Sequence, residues 1–178
     1  MGKRKEPGFV YTPPPSVRAN FRREIEHLLG EIPAEQWADP DLRGVAYDFT
    51  PWHRMSCVTI QTRDEDPRDI GGWKYYYSAE SGEFVQEEFD AYRNATTNGG
   101  LVYHKLLIEA AEAMVSLDYG KYGNPYRTAI DDGFCLNKTF LLQVYDVDQT
   151  FQFNYCEYVM ARRLEQAEAG PAPDTGRV

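Results

Sequence analysis

Between Leu42 and Tyr77 the chain carries its most restrictive pattern, three short runs of strand-type residues separated by two turn-type breaks. Val45, Tyr47 and Phe49 alternate with Ala46 and Asp48, and Ser56, Val58, Ile60 and Thr62 alternate with Cys57, Thr59 and Gln61. A period of two sends successive side chains to opposite faces of a sheet, so both runs predict strands. The third run, Trp73 to Tyr77, is almost wholly aromatic. Pro51 has no N–H to give to a ladder and belongs in the first turn. The second connection, residues 63–72, is acidic and rich in Gly and Pro, as an exposed loop is.

A chain of 178 residues with 42% hydrophobic content can bury a core as one domain without disulfides or metals. Cys57, Cys135 and Cys156 are odd in number and widely spaced, which reads as small packing residues in a reducing compartment. The basic start leads into Pro7 and Pro13-Pro14-Pro15 rather than an apolar segment, and no run of eighteen apolar residues occurs. Secretion and membrane spanning are therefore not expected, and a cytoplasmic location is. The net charge is −9, and from Asp64 to Asp90 nine acids face two bases, −7 in that segment. Such a field repels nucleic acid and steers a basic partner, or else it is a solvated face that aids solubility.

Residues 1–15 read as a disordered basic, Pro-rich tail, 16–169 as one domain, and 170–178 as a loose C-terminal tail. Val17, Phe21, Ile25 and Leu28 recur at helical spacing after a capping Ser16, with Gly30 as the stop. Pro33 opens a short turn that sets Trp37 against the sheet. After a turn at Ser81-Gly82, Phe84, Val85, Phe89 and Tyr92 mark a second helix, with Glu83, Glu87, Glu88 and Asp90 towards water. Leu101 to Leu117 is the most apolar helix and should be central, with Leu101 and Ile108 on one apolar side. The stretch 118–137, beginning Tyr119-Gly120-Lys121-Tyr122, is a long loop carrying tyrosines. Phe140 to Tyr145 and Phe151 to Tyr155 predict a hairpin, with a helix from Phe151 as the other reading, and Cys156 to Ala169 a final helix. The pattern as a whole predicts an α+β domain, a mostly antiparallel sheet of about five strands covered by helices.

Candidate chemistry is sparse. The three histidines are scattered and no Cys-x-x-Cys or His-x-x-x-His occurs, so neither metal nor cofactor is expected. Asp146-x-Asp148 has a spacing that can chelate a divalent cation, although a turn explains it as well. His53 and Cys57 form the only nucleophile–base pair within one turn, and a mid-strand cysteine more often packs. Trp73, Tyr75, Tyr76 and Tyr77 combine rigid apolar bodies with polar handles, as interface residues do, and a two-sided core strand is the competing reading.

The Gly30-Glu31-Ile32-Pro33-Ala34-Glu35-Gln36-Trp37 turn, the Trp73-Lys74-Tyr75-Tyr76-Tyr77 strand and the run from Val144 to Tyr155 occur in an order that resembles the YezG-like family of bacterial polymorphic-toxin immunity proteins. The resemblance spans roughly residues 17–158. It implies an acidic cytoplasmic antidote that binds a cognate toxin, commonly a basic nuclease, with no catalytic residue of its own. Charge and aromatic placement give the expected partner-binding residues as Asp64, Glu65, Asp66, Asp69, Trp73, Tyr75, Glu83, Glu87, Glu88, Tyr119 and Tyr122. Two other functions fit the chain, an enzyme using Asp146 and Asp148 on a metal-bound substrate and a structural adaptor of a secretion or conjugation system docked through the Pro-rich tail.

Overall fold

Helix α1, Pro15–Glu31, starts with proline at its first position, where a missing N–H costs nothing and the fixed φ already suits a helix. Its start is thus set by Pro15 and not by a Ser16 cap. It runs through Gly30 and ends where Ile32, the residue before Pro33, is pushed out of the helical region. A Cβ at Gly30 would meet nothing within 4 Å. Gly30→Ala is therefore expected to raise stability by about 0.5–1 kcal/mol, read as an upward shift in the urea midpoint. The structure is a computed structural model that describes residues 10–63, 65, 66, 69–122, 141–145 and 154–168.

After the short α2, Ala34–Trp37, come β1, Leu42–Thr50, β2, Met55–Thr62, and β3, Tyr75–Ser81. Helices α3, Gln86–Asn94, and α4, Gly99–Met114, follow, then β4, Leu141–Val144, and α5, Tyr155–Glu168. The described sheet has the order β3-β2-β1-β4, antiparallel at β1/β2 and β2/β3 and parallel at β1/β4. The domain is α+β.

Val45, Tyr47 and Phe49 of β1 stand in register with Ile60, Val58 and Ser56 of β2, which fixes one face. Phe21 of α1 meets Tyr47 and Phe49 edge-on at 6.1 and 5.1 Å, Phe89 of α3 stacks on Phe49 at 5.2 Å, and Tyr103 of α4 lies 6.4 Å from Phe49. The helices thus converge on the apolar face of β1. Leu106, Leu107, Ala110, Ala111 and Met114 make α4 the buried helix that its composition predicts, although Leu101 at its first turn is exposed. One helical carboxylate is sealed into this core. Glu24 accepts the Ser56 hydroxyl at 2.6 Å and the Phe84 N–H at 2.9 Å, tying α1 to β2 and to the segment after β3.

Further expectations are corrected. The third strand lies later than the aromatic run, because residues 70–72 form a 3-10 turn and pairing begins at Tyr75, opposite Ile60, and continues to Ser81, opposite Ser56. Ser81 is thus a ladder residue, and the chain turns at Gly82. Tyr155 opens a helix instead of closing a hairpin strand. Asn154 accepts the N–H of Cys156 at 3.0 Å, and with Glu157 it supplies the polar residues that start helices. The same side chain accepts from Val144 N and donates to Leu142 O, joining β4 to α5. Glu88 does not face water: Val85, Glu88, Phe89 and Tyr92 share one stripe at i, i+3, i+4 and i+7, and Glu88 is buried with Asn20 donating to it at 3.0 Å. Tyr11, assigned to the tail, packs against the core. Residues 151–153 and the Asp146–Asp148 pair lie outside the described residues.

Candidate functional site

The acidic connection after β2 folds upon itself. The Glu65 carboxylate accepts the N–H groups of Thr62 and Lys74, and the Asp66 carbonyl accepts the Trp73 indole N–H at 2.8 Å. These bonds draw Trp73 inward until only 4% of it is exposed, so it holds the loop and offers no ring to a partner. Tyr75 donates its hydroxyl to Asp39 at 2.7 Å, where Lys74 also binds at 2.9 Å. Those two bonds, Tyr75 first, hold the Asp39 carboxyl down at about 2. Asp66 and Asp69 are exposed, and Asp64 lies outside the described residues.

The two loop tyrosines are likewise used by the fold. Tyr119 is fully buried, its hydroxyl donating to Met114 O at 3.0 Å. Tyr122 is half-buried, stacked on Trp37 at 5.6 Å and 11°, with its hydroxyl on Glu26 O at 3.3 Å. Of the expected partner-binding group, Trp73, Glu88 and Tyr119 are therefore withdrawn from the surface, for want of any water left to face once loop, helix stripe and core have packed. Glu83 and Glu87 remain fully presented.

The aromatic surface lies instead at the turn between β1 and β2. Trp52 is 37% exposed, whereas Trp37 and Trp73 are buried. Its ring lies 5.6 Å from Tyr103, 6.1 Å from Tyr92 and 6.3 Å from His53. The turn is held rigidly. Arg54 adopts φ 53°, a left-handed conformation that costs a non-glycine residue about 1 kcal/mol. Its guanidinium donates to Asp90 at 2.7 Å and to Gln86 at 2.5 Å, and it lies 5.5 Å over the Phe89 ring. A Cβ at Gly82 would meet Arg54 O at 2.9 Å, so the turn is also pressed against the end of β3. Trp52 is thus fixed beside α3, the helix that carries Glu87 and Asp90. Trp52 is not among the residues that charge and composition single out, although a bulky ring between Pro51 and His53 in a turn has little room to bury itself.

Reactive groups are few among the described residues. Cys57 and Cys156 are free and buried, and desolvation pushes both thiols well above their ordinary range, against the thiolate. Asp48, not His53, stands in register with Cys57. Burial alone raises the Asp48 carboxyl to about 6. Among the described residues there is no group of three or more His, Cys, Asp or Glu placed to hold a metal ion, and no helix long and apolar enough to cross a membrane. Compared with known proteins, the chain matches no family model, no curated protein and no solved structure.

Proposed function

We propose that this protein is a non-catalytic, stoichiometric inhibitor that binds a basic protein, in the manner of an immunity protein neutralising a cognate toxin in the cytoplasm. The observation that carries the reading is the fixed, exposed Trp52 beside an acidic helix. A rigid aromatic anchor with a charged rim is the arrangement that concentrates binding energy in protein interfaces. Residues 75–92 contain five acids and no base, and Glu80, Glu83, Glu87 and Asp90 of that group are exposed. The cationic partner that this field attracts could also set a lysine or arginine on the Trp52 ring. That the partner is a toxin, and a nuclease in particular, comes from the family resemblance.

The test is binding to the product of the gene beside this one, with growth rescue in cells that express that product. Trp52→Ala should leave the fold intact, weaken binding by about 2 kcal/mol or more and act mainly by faster release. Reversing Glu83 and Glu87 to lysine should slow association, most at low ionic strength where screening is weak. Binding that ignores both changes would remove this surface from the function, and lack of any rescue would remove the toxin.

A further inference from the structure

Glu88 is the acid that α3 turns inward, and its burial is poorly provided for. Asn20 of α1 donates to one carboxyl oxygen at 3.0 Å, while the other oxygen, Oε2, is buried without a hydrogen-bond partner. Only 1% of the residue is exposed. An ionised carboxylate sealed from water needs donors at both oxygens or a cation beside it. Neither is supplied here. Arg18, on the same helix as Asn20, is paired with Glu109 and Glu112 of α4 at 2.8 and 3.8 Å. The charges that act on Glu88 are those of acids, Glu87 on its own helix and Glu24 on α1. Glu24 is fully buried too, its oxygens taken by Ser56 and Phe84. The segment before α1 adds only the Tyr11 hydroxyl, which burial first, and then the charges of Glu88 and Glu109, keep neutral.

What α3 carries makes this arrangement consequential. A helix of nine residues is too short to hold its shape alone and depends on the stripe it packs. Arg54, which fixes the turn bearing Trp52, is bound to Gln86 and Asp90, both on α3. The Trp52 ring rests beside Tyr92 of the same helix. Any loosening of α3 is therefore passed to Trp52.

We propose that Glu88 is a proton-operated latch, which in its neutral form lets α3 lie shut against α1 and on ionising loosens the helix together with the Trp52 surface. That a partner feels the change rests on the binding role proposed above, whereas the latch itself does not. Burial above all raises the Glu88 carboxyl from its ordinary 4.5, and the charges of Glu87 and Glu24 add to it, against the hydrogen bonds from Asn20 and the backbone. A carboxyl raised in the folded state stabilises the docked helix fully below 4.5 and loses that contribution as pH rises through its folded value. The helix should thus be tightest in mild acid and looser at neutral pH.

The test is backbone amide hydrogen exchange, read by NMR on the full chain at pH 5 and pH 7.5 and expressed as protection factors. Because Asp48 also makes overall stability depend on pH, the quantity compared is the protection of α3 relative to that of α4 in the same molecule. This ratio should fall several-fold from pH 5 to pH 7.5, with broadening of the Trp52 indole N–H resonance. In Glu88→Gln, which keeps the shape and the acceptor for Asn20 but cannot ionise, the ratio should stay at its acid value at both pH values. The exposed control Glu83→Gln should behave as the unaltered chain does. If circular dichroism shows the glutamine variant unfolded, Glu88→Leu, which extends the apolar stripe, takes its place. A ratio that is equal at both pH values, or that falls as much in the substituted chain, would overturn the latch. No partner enters these measurements, so their failure would leave Trp52 as a binding surface, and failure of the binding tests would leave the latch standing.

Discussion

Glu24→Ala is expected to destabilise the domain by about 4 kcal/mol, enough to unfold much of a marginal protein at ordinary temperature. The carboxylate is buried completely, yet it is satisfied at both oxygens, by the Ser56 hydroxyl and the Phe84 N–H. Alanine would strand both donors in the core, at about 1–3 kcal/mol each, and open a cavity besides. Glu24→Gln keeps the volume and one acceptor and should cost less than half as much. Urea unfolding at constant slope measures both. An alanine variant as stable as the parent would mean that water reaches Ser56 and Phe84, and the packing of α1 on the sheet would then be looser than described.

Asp48→Asn should have the opposite sign. A carboxyl raised to about 6 from its ordinary 3.8 binds its proton more tightly folded than unfolded. Between those values the folded state holds more protons, so the wild-type chain loses stability as pH rises from about 4 to 6. The loss is complete above that range and amounts to about 3 kcal/mol. Asparagine cannot ionise. The substitution should therefore stabilise the protein by up to about 3 kcal/mol at pH 7.5 and by almost nothing at pH 3.5. Thermal melts at the two pH values give the comparison directly. Equal effects at both would show that Asp48 does not carry its charge at a cost.

The helices were the most legible part of the fold. Val17, Phe21, Ile25 and Leu28 are all buried at the spacing that predicts one face of α1, and the apolar content of α4 places it centrally. The period-two runs marked β1 and β2 as strands, and both strands are buried on both faces. The third strand was misplaced for an instructive reason. Aromatic residues favour strands only by fitting a half-buried surface. Trp73 finds that burial by hydrogen-bonding to its own loop, which leaves Ser78 to Ser81, with weaker strand composition, to complete the ladder.

The candidate surface was half legible. Charge is a sum over the chain, so the acidic excess near Glu83 and Glu87 could be read directly. Exposure could not, because it depends on what packs against each ring. Composition predicts Trp73, Tyr75 and Tyr119 as partner-binding aromatics, yet they are held by Asp66, Asp39 and Met114, whereas Trp52 is left outside by a turn that Arg54 pins to α3. The spacing of Glu88 from Val85 and Tyr92 did carry the signal of its burial, which its charge concealed.

By itself the sequence determined the local elements: an early helix bounded by two prolines, an alternating hairpin, an apolar helix and an acidic stretch. All of these follow from periodicity and backbone sterics within about a dozen residues. Only the tertiary structure decided the parallel seat of β4 against β1, the sealing of Glu24 beneath Ser56 and Phe84, and the meeting of Asp48, Thr59, Gln61 and Gln143 on one face. The Glu24 and β1/β4 contacts join residues from about 30 to nearly 100 positions apart, and register, which no local propensity sets, determines which side chains meet.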